Sequence, residues 1–525
     1  MQGDIKKESS MAIKRYNDRY HIRVFLWGRE IGTLTWVPDR KLSYFFFSQE
    51  YFRQPYDICP LTNPKDSNST RQAIYGTSLN SPYQEDKIYQ GLPPFLADSL
   101  PDRWGNAIFD KWFADKKLPE YTKTPITKLS FLGKRAMGAF EFVPATETVS
   151  DISQAVNIQD LYEQACRFEE EMLTKSVSQD RLSVENLAVL GASPGGSRKK
   201  AIVSMSLDGC FRSGSVSTRE DWKHYIIKFN TPFYSISETE YTYWELAREA
   251  GIKMMPSELL EIEGTKHFLT ERFDRRDGAK VMMQTLAAIN PEAHSYEDLF
   301  RTCRRLNIPM QEIIGLYRQT VFNFLLNNTD DHNKNFSFVM DKDFRWHLSP
   351  AYDVTFIIAD NGIEGEWNHC LSLMGKFTDV TEEELVSFGK KNDIPKPESI
   401  IKDIRQISLT FEEKARKNGI NGFCTEMISK RLHELGRKSE AVSVEQSIQL
   451  GATKLDDIHF EMSEKGNIHL CAKIDGQVKK IVLTSKKEVF TEIMQKGFNL
   501  MDSGEREAIF RKLFGERLKE RGIKF

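Results

Sequence analysis

Apolar and polar residues alternate in the first part of the chain with the two-residue period typical of β-strands. Residues 22–27 and 31–36 both follow this pattern, and the glycine-containing segment between them favours a turn, so a hairpin is predicted. Further strands are predicted at residues 42–47 and 139–143, and an amphipathic helix is predicted to end at Trp112-Phe113. The pattern therefore indicates a mainly β subdomain near the start of the chain.

Beyond that subdomain the predicted elements form a strand-rich group, a mainly helical region from Leu286 to Leu435, and a second small strand-rich group. A helix predicted at residues 238–250 ends at Gly251, a residue type common at helix C-termini. Helices are also predicted from Glu488 onward. The strands of the two groups are predicted at residues 201–205, 225–229, 259–262 and 267–271, and at residues 460–462, 468–474 and 478–483.

Composition limits the class of protein without identifying it. The chain has 525 residues, enough for two to four domains, of which 40% are hydrophobic and 28% charged. It has no apolar run close to the roughly 18–20 residues of a membrane helix, so no membrane contact is expected. The formal charge of −2 gives no overall attraction to DNA. Seven cysteines without a Cys-x-x-Cys pair favour a reducing cytoplasm and suggest no zinc site.

The strongest chemical signal is the polar segment 327–335, which lies between an apolar run and the predicted strand 336–340. Asp330 and Asn335 are five positions apart, the spacing of the base and the metal-binding Asn in a kinase catalytic loop. Asp353 follows one short strand later. Such a segment can supply a proton acceptor and two oxygen ligands for Mg²⁺. The alternative is an ordinary polar connection, because Asn and Asp also favour turns.

A glycine-rich segment at residues 191–200 precedes the first strand of the strand-rich group. Gly191 and Gly196 have the spacing of a P-loop, but Ser197-Arg198 replaces the Lys-Ser/Thr pair, and a strand follows where a P-loop requires a helix. A glycine-rich loop joined to a strand is the way kinases cover phosphates. A flexible basic turn is the competing interpretation.

The segments that follow the glycine-rich segment come in the same order as the functional segments of a protein kinase. Lys228 lies in an apolar strand, as does the lysine that binds ATP phosphates in kinases, and Glu240 and Glu245 on the following helix are both candidate partners. The segment from Glu271 to Arg275 ends the strand-rich group where an inter-lobe hinge would lie. A kinase-like site is predicted from the order of these features along the chain: the glycine loop, the strand Lys, the helix Glu, the hinge, the Asp-x4-Asn motif and a further Asp.

These motifs resemble those of the HipA family, bacterial serine/threonine kinase toxins of type II toxin–antitoxin systems. The resemblance covers the chain to about residue 440. Its motifs are the glycine loop Ser193-Pro194-Gly195-Gly196-Ser197-Arg198-Lys199-Lys200, the hinge Glu271-Arg272-Phe273-Asp274-Arg275, the catalytic loop Thr329-Asp330-Asp331-His332-Asn333-Lys334-Asn335, Pro350-Ala351-Tyr352-Asp353, and upstream segments that include Leu100-Pro101-Asp102 and Gly138-Ala139-Phe140.

The resemblance implies a role for each matching residue. Asp330 would be the catalytic base, while Asn335 and Asp353 would hold Mg²⁺. Lys228 would bind the ATP phosphates, Lys200 matches a further loop lysine, and Glu271 and Phe273 would flank adenine. The ATP-covering loop would include Ser193, Gly195, Gly196, Ser197 and Lys200, with Ser193 as the autophosphorylation site that inactivates the kinase.

The resemblance also implies partners. These are ATP, a protein substrate such as an aminoacyl-tRNA synthetase, and a helix-turn-helix (HipB-like) antitoxin through which DNA would be contacted indirectly. Two departures matter: Asp331 stands where the family often has a small residue, and residues 445–525 have no recognised counterpart. The alternatives are a non-catalytic pseudokinase that serves a DNA-binding antitoxin or repressor, and a metal-dependent phosphohydrolase.

The expected fold class is α+β, with a two-lobed protein-kinase-like core, an N-terminal β-rich subdomain and a small C-terminal α+β appendage. The expected divisions are a polar tail (1–20), the β-rich subdomain (21–148), the kinase N-lobe with the glycine loop (149–275), the helical C-lobe with the catalytic loop (276–440) and the appendage (445–525).

Overall fold

The fold is known from a computed structural model that describes residues 21–67, 87–144, 155–174, 198–213, 221–358 and 367–440, and three strands between residues 456 and 484. The predicted polar tail, the glycines of the 191–197 segment and the helices predicted from Glu488 lie outside the described residues. Within the described ranges, no helix has both the length and the apolar composition needed to cross a bilayer.

The strands of the described residues belong to five antiparallel sheets. They are β1 (His21–Leu26), β2 (Arg29–Val37), β3 (Leu42–Phe47), β4 (Phe140–Val143), β5 (Lys200–Met205), β6 (Phe211–Ser213), β7 (Lys223–Lys228), β8 (Ser257–Ile262), β9 (Thr265–Glu271), β10 (Arg275–Arg276), β11 (Ala279–Lys280), β12 (Met283–Thr285), β13 (Ser337–Met340), β14 (Trp346–Leu348), β15 (Asp456–Met462), β16 (Ile468–Ile474) and β17 (Gln477–Thr484).

The α-helices are distributed along the whole described chain, and seven of the thirteen follow Thr285. They are α1 (Gln49–Arg53), α2 (Pro94–Ala97), α3 (Arg103–Asp115), α4 (Pro125–Leu132), α5 (Ile158–Thr174), α6 (Ile236–Glu249), α7 (Leu286–Ile289), α8 (Tyr296–Arg305), α9 (Met310–Leu325), α10 (Glu382–Lys391), α11 (Pro397–Ser408), α12 (Phe411–Asn418) and α13 (Gly422–Glu440).

The N-terminal sheet has the order β3-β2-β1-β4, and the predicted β1–β2 hairpin is confirmed. Alternate residues of β1 are buried, as the two-residue sequence period predicted. Gly32 allows β2 and β3 to approach, because a Cβ atom there would lie 2.3 Å from the Phe46 carbonyl oxygen. The helix predicted to end at Trp112-Phe113 is α3, which extends two residues further to Asp115.

The N-lobe sheet has the order β6-β5-β7-β9-β8, with α6 packed beside β8 and β9. The sequence predicted β5, β7, β8 and β9, whereas the three-residue β6 is too short to show a period. Gly251, the predicted helix terminator, follows the C-cap of α6 with φ +76°, a left-handed conformation that glycine adopts without strain. The strand lysine and the helix glutamates therefore lie on neighbouring elements.

The helical lobe surrounds a three-stranded sheet of order β12-β13-β14. Strand β13 confirms the prediction at residues 336–340, and β14 is the short strand expected before Asp353. Strand β12 was not predicted. It pairs with β13 through Thr285 and Ser337, which brings the chain after the hinge directly beside the predicted catalytic loop.

Within the described ranges, two hydrophobic cores connect the N-terminal subdomain with the two lobes. One contains residues of the N-terminal sheet, such as Val24 and Phe45, together with residues of the helical lobe, such as Phe322. The other joins Trp104 and its neighbours on α3 to Val203 and its neighbours on the N-lobe sheet. The N-terminal subdomain therefore shares a core with each lobe, and α3 and the N-lobe pack together across the predicted boundary at residue 148.

The three strands predicted near the end of the chain are present as a separate antiparallel sheet, β15-β16-β17. Each strand is at least as long as predicted, and β15 begins four residues earlier than expected, at Asp456.

Candidate active site

A cavity between the two lobes is lined by five of the seven predicted site residues that the structure describes, whereas Asp330 and Lys200 are not among its lining residues. Its walls come from β7, α6, the segment after β9, the catalytic-loop segment, the stretch that ends at Val354 and the N-terminal subdomain. The predicted site residues that line it are Lys228, Glu271, Phe273, Asn335 and Asp353. These residues are up to 125 positions apart in sequence, and folding places them around one space.

Lys228 projects from β7 between two carboxylates. Its Nζ lies 2.5 Å from Glu240 Oε1 and forms a second ion pair with Asp353 Oδ1. The side chain is 19% exposed, so this is not a solvated surface lysine. Of the two candidate partners, Glu240 makes the contact, whereas Glu245 binds Asn418 at 2.6 Å and Lys417 at 2.9 Å.

The three groups shift one another's protonation. Burial alone would lower the pKa of Lys228, but the carboxylates of Asp353 and Glu240 raise it above its ordinary value. Burial opposes ionisation of Asp353, yet the charges of Lys228 and Lys200 hold its pKa below the ordinary range. Burial raises the pKa of Glu240 despite the attraction of Lys228. A cationic Lys228 and an anionic Asp353 therefore face each other at the cavity wall.

The catalytic-loop segment begins where α9 ends. Asn327 follows the C-cap with φ +55°, a left-handed conformation that Asn tolerates better than most residues. Asn335 then closes the loop by donating from Nδ2 to the Asp330 carbonyl oxygen at 2.6 Å. A carbonyl oxygen can only accept a hydrogen bond, so the amide nitrogen of Asn335, not its oxygen, must face the Asp330 carbonyl. The Asn335 Oδ1 atom is therefore turned away from the loop.

Asp330 is the more open of the two adjacent carboxylates. Its side chain is 43% exposed, and Oδ1 lies 3.6 Å from His332 Nε2. Burial raises the pKa of the Asp330 carboxyl above its ordinary value, His332 opposes that shift, and Asp353 adds to it. A raised pKa makes a carboxylate a better proton acceptor while it remains ionised near neutral pH.

Asp331 points the other way, into the protein, and its side chain has no exposed surface. Its carboxylate accepts from Tyr296 Oη at 2.6 Å, His369 Nδ1 at 2.7 Å and the Cys370 amide at 2.7 Å. The two acidic residues left ambiguous by the sequence therefore have different surroundings. Asp330 is partly exposed and interacts with the charges of Lys228 and Asp353, whereas Asp331 is enclosed.

The residues present fit a magnesium ion. No group of three His, Cys, Asp or Glu side chains in the described ranges has metal-binding geometry. Mg²⁺ in nucleotide sites needs fewer protein ligands, because it keeps waters and phosphate oxygens. Asn335 offers the oxygen of an amide whose nitrogen is already bonded, and Asp353 offers an ionised carboxylate on the same cavity. Hard oxygen donors of this kind suit Mg²⁺.

The hinge segment lies along one side of the cavity. The Arg272 amide donates to the His224 carbonyl at 2.8 Å, which continues the pairing of β9 with β7. Glu271 contacts Lys223 at 3.3 Å through its side chain. The Phe273 and Tyr352 rings lie 5.6 Å apart with a 34° tilt, so both lobes contribute an aromatic ring to the cavity.

Two carboxylates of the N-terminal subdomain also line the cavity, and sequence reasoning assigned them no role. Asp98 accepts from the Thr285 amide at 2.8 Å and from Thr285 Oγ1 at 2.6 Å. Asp102 caps α3 through the Gly105 amide at 2.7 Å and lies 3.1 Å from Lys200 Nζ. An Asp just before a helix is a recognisable cap. Its pairing with Lys200 could not be seen because 98 residues separate them.

A buried ionic cluster beside the hinge was also missed. Asp274 lies 2.8 Å from Arg272 and 2.9 Å from Arg275, and it accepts from the Gly138 amide at 2.8 Å. Arg275 also donates to the Gly138 and Ala136 carbonyls at 3.0 and 3.2 Å. Burial opposes ionisation of Asp274, but the two arginines hold its pKa far below the ordinary value. The hinge is thereby bonded to the N-terminal subdomain.

Four predicted nucleotide-binding residues, Ser193, Gly195, Gly196 and Ser197, lie outside the described residues. The described chain resumes at Arg198, whose guanidinium donates to the Ile358 carbonyl at 3.1 Å. Lys200 is the first residue of β5 and is only 2% exposed. It pairs across the sheet with Lys228, so the last residue of the 191–200 segment lies next to the lysine of the cavity.

Two family models match this chain. A HipA N-terminal domain matches residues 22–143, and a HipA-like C-terminal domain matches residues 192–412. Together they account for about two thirds of the sequence. The second match contains the cavity residues of both lobes, and the first contains the subdomain that closes the cavity.

The chain is also similar to two curated proteins. It is 26% identical over 143 residues to the Sinorhizobium fredii protein named "Putative kinase Y4mE" and 25% identical over 151 residues to a Haemophilus influenzae protein named "Putative kinase". These matches cover 24% and 25% of this chain. They span only 34% and 44% of those two proteins.

A solved structure shares the fold. It is the complex of HipA, HipB and operator DNA from the Shewanella oneidensis MR-1 toxin–antitoxin system. The match has a TM-score of 0.57 and 17% identity, and it covers 80% of this chain and 96% of the other. The α+β architecture with an N-terminal subdomain on a two-lobed core is therefore one already seen in a HipA protein.

Proposed function

Because the chain belongs to the HipA family, we propose that it is an ATP- and Mg²⁺-dependent protein serine/threonine kinase. One observation carries this proposal. Lys228 pairs with Glu240 and Asp353 at the wall of a cavity that Asn335 also lines. A strand Lys paired with a helix Glu, beside a carboxylate and a carboxamide that suit Mg²⁺, is the arrangement that kinases use for ATP.

In the proposed reaction, the hydroxyl oxygen of a protein serine or threonine attacks the γ-phosphorus of ATP. The bond from that phosphorus to the β–γ bridging oxygen breaks, ADP leaves, and Asp330 receives the hydroxyl proton. Lys228 would bind and orient the α and β phosphates. Asn335 and Asp353 would hold Mg²⁺, which when bound neutralises charge on the phosphates. Glu271 and Phe273 would lie on either side of adenine.

Asp330 suits the role of base for two reasons. Its side chain is partly exposed and lies near enough to Lys228 and Asp353 of the cavity wall to interact with their charges, and its pKa is raised by burial and by Asp353. The alternative phosphohydrolase would use Asp331 together with Asp330 and His332. The carboxylate of Asp331 is instead enclosed by three hydrogen bonds, which disfavours that alternative.

We also propose regulation and partners of the HipA kind. Phosphate on Ser193 adds nearly two negative charges, which ATP phosphates would repel, so the modified loop would leave the site. The Shewanella protein was solved with HipB and operator DNA, which supports a HipB-like antitoxin as partner here. DNA would then be contacted through that antitoxin. The protein substrate would be a translation enzyme such as an aminoacyl-tRNA synthetase.

Phosphoryl transfer by the full-length chain tests the proposal. Wild type and Asp330→Ala are incubated with Mg²⁺ and γ-labelled ATP, and phosphorylated residues are mapped by mass spectrometry. We expect label on Ser193 in the wild type and a reaction slowed by roughly 10²- to 10⁴-fold in Asp330→Ala, since the base is lost. Thermal unfolding of both proteins checks that the fold is intact. Undiminished labelling of Asp330→Ala would exclude Asp330 as the base, and label elsewhere with none on Ser193 would exclude regulation through Ser193.

A further inference from the structure

The residue beside the proposed base has a built environment that catalysis by Asp330 does not explain. Asp331 has no exposed side-chain surface, and both of its oxygens are used. Oδ2 accepts from Tyr296 Oη and His369 Nδ1, and Oδ1 accepts from the Cys370 amide. Since a carboxylate only accepts, Nδ1 of His369 carries a hydrogen in this pairing. Three donors from two separate segments converge on one carboxylate.

These bonds continue into a buried network. Asn323 Nδ2 donates to Tyr296 Oη at 2.9 Å, and Asn328 Nδ2 donates to Asn323 Oδ1 at 2.9 Å. The Asn328 Oδ1 atom in turn receives the Thr355 amide at 3.4 Å. The end of α9, the start of the catalytic loop and the chain just after Asp353 are thus connected through polar side chains.

Aromatic rings enclose this network. The Phe324 ring lies 4.0 Å from the His369 ring, and Tyr296 contacts Phe324 and Phe336 at 5.6 and 5.9 Å. Burial and the negative charge of Asp331 raise the pKa of Tyr296 well above its ordinary value, so the phenol keeps its hydrogen and remains a donor. A buried network of this kind is costly to leave partly unpaired, and it therefore fixes the backbone that carries it.

The segment reached by Asp331 lies well beyond the proposed metal ligand in the sequence. His369 and Cys370 follow Asp353 by 16 and 17 positions. Part of the intervening chain lies outside the described residues. The Tyr296 amide also donates to the Ser372 carbonyl at 2.9 Å, so the same segment is attached to α8. Asp331 therefore bonds the catalytic loop to the chain that follows the metal-binding segment, and a longer contact from Cys370 Sγ to the Thr329 carbonyl at 3.5 Å adds to it.

We propose that Asp331 is a positioning residue that anchors the catalytic loop to the 369–370 segment and so fixes where Asp330 lies. Adjacent residues in an extended loop project in different directions, so fixing the Asp331 carboxylate inside the protein directs the Asp330 carboxylate toward the cavity. Asn335, bonded to the Asp330 carbonyl, is held by the same anchor. The Asp330 carboxylate is then correctly placed only when the 369–370 segment is bonded to Asp331. The proposal rests on the kinase function proposed above.

Kinetics and hydrogen exchange test this anchor in the full-length chain. In Asp331→Ala we expect kcat for phosphoryl transfer to fall on the order of 100-fold, because a misplacement of about 1 Å has that effect. The KM for ATP should stay within roughly threefold, since Lys228 and Asp353 are untouched. Asp331→Asn keeps an oxygen for the Cys370 amide, and it should retain about a tenth of wild-type kcat.

The exchange readout does not depend on kinase activity. In wild type the Cys370 amide should be protected, and in Asp331→Ala peptides covering residues 328–336 and 367–373 should exchange faster. If the alanine variant fails to fold, Tyr296→Phe removes one donor with little change of shape and should show the same effects more weakly. If the wild type transfers no phosphate, the kinase proposal fails. The hydrogen-exchange data still test whether Asp331 holds the catalytic loop to the 369–370 segment.

Asp57→Asn is a matched control. The Asp57 carboxylate likewise accepts from a tyrosine hydroxyl, that of Tyr51 at 3.2 Å, and from the Cys59 and Lys65 amides at 2.9 Å. It lies in the N-terminal subdomain, so its variant should lose stability without changing kcat or exchange at residues 367–373. Two results for Asp331→Ala would overturn the proposal. One is a kcat within about twofold of the wild-type value, and the other is unchanged hydrogen exchange at residues 328–336 and 367–373.

Discussion

Single carboxylates in this protein behave according to what surrounds them, and the pair Asp330 and Asp331 is the clearest case. The sequence makes them equivalent neighbours, whereas folding exposes one and buries the other. Around Asp330 the influences oppose each other, since burial and Asp353 raise the pKa and His332 lowers it. The balance can therefore be changed by replacing one nearby residue.

His332→Gln should move the acid limb of the activity profile to higher pH. A base works only when deprotonated, and a group with a raised pKa loses its deprotonated form at a higher pH than an ordinary Asp does. His332 opposes that rise, so its removal raises the pKa of Asp330 further. The measurement is kcat/KM against pH for wild type and variant in the same ionic strength.

His294→Gln provides the control for that profile, because His294 lies in the same lobe but is not among the groups that shift Asp330. Its acid limb should coincide with that of the wild type. An acid limb that stays in place, or moves to lower pH, in His332→Gln would mean that His332 does not influence the base.

At the scale of elements, the short hairpin β10–β11 connects the hinge with the N-terminal subdomain. Its first residue, Arg275, donates to the Ala136 and Gly138 carbonyls, and its last, Lys280, donates to the Lys134 carbonyl at 2.6 Å and pairs with Glu141 at 3.0 Å. Gly138 itself has φ +70°, and a Cβ atom there would lie 2.9 Å from Met283 Cγ. The close approach of the Gly138 segment to the chain around Met283 thus depends on Gly138 and on the buried ionic cluster of Arg272, Asp274 and Arg275.

Asp274→Ala should destabilise the fold by about 3–5 kcal/mol, because it leaves two buried arginines without their carboxylate. Urea unfolding followed by tryptophan fluorescence measures the change. Arg276→Ala, an exposed residue of the same hairpin, should change the free energy of unfolding by less than about 0.5 kcal/mol. Equal effects in both variants would show that the cluster contributes nothing beyond the hairpin itself.

At the scale of the whole molecule, the N-terminal subdomain is part of both cores. Its sheet packs with the helical lobe, and α3 packs with the N-lobe sheet. Because each lobe shares a core with the N-terminal subdomain, that subdomain restricts the position of one lobe relative to the other. The subdomain also contributes Asp98, Asp102 and Phe140 to the walls of the cavity. Its role therefore includes completing the site.

Two truncations separate these contributions. A chain of residues 21–440 should fold cooperatively and keep measurable MgATP binding, because both cores and the cavity lie within it. A chain of residues 150–440 should aggregate or remain protease-sensitive, because apolar faces of both lobes lose their cover. Circular dichroism, limited proteolysis and calorimetric titration are the measurements. Loss of binding in the longer chain would mean that residues outside 21–440 complete the site.

The sequence by itself determined the local features of this protein. Period-two alternation located the β1–β2 hairpin, short apolar segments located most strands of the N-lobe sheet, and the Gly251 signal located the end of α6. The motif order also led to the family. These features are set by short-range rules of propensity and spacing, so a single sequence contains them. The assigned roles of Asp330, Asn335 and Asp353 remain predictions.

Tertiary structure decided the long-range choices. It paired Lys228 with Glu240 rather than Glu245, and Lys200 with Asp102. It enclosed Asp331 and left Asp330 open, and it placed the N-terminal subdomain against both lobes. The physical reason is common to all of these. Burial and ion pairing depend on which distant segments pack together, and local spacing contains no information about that.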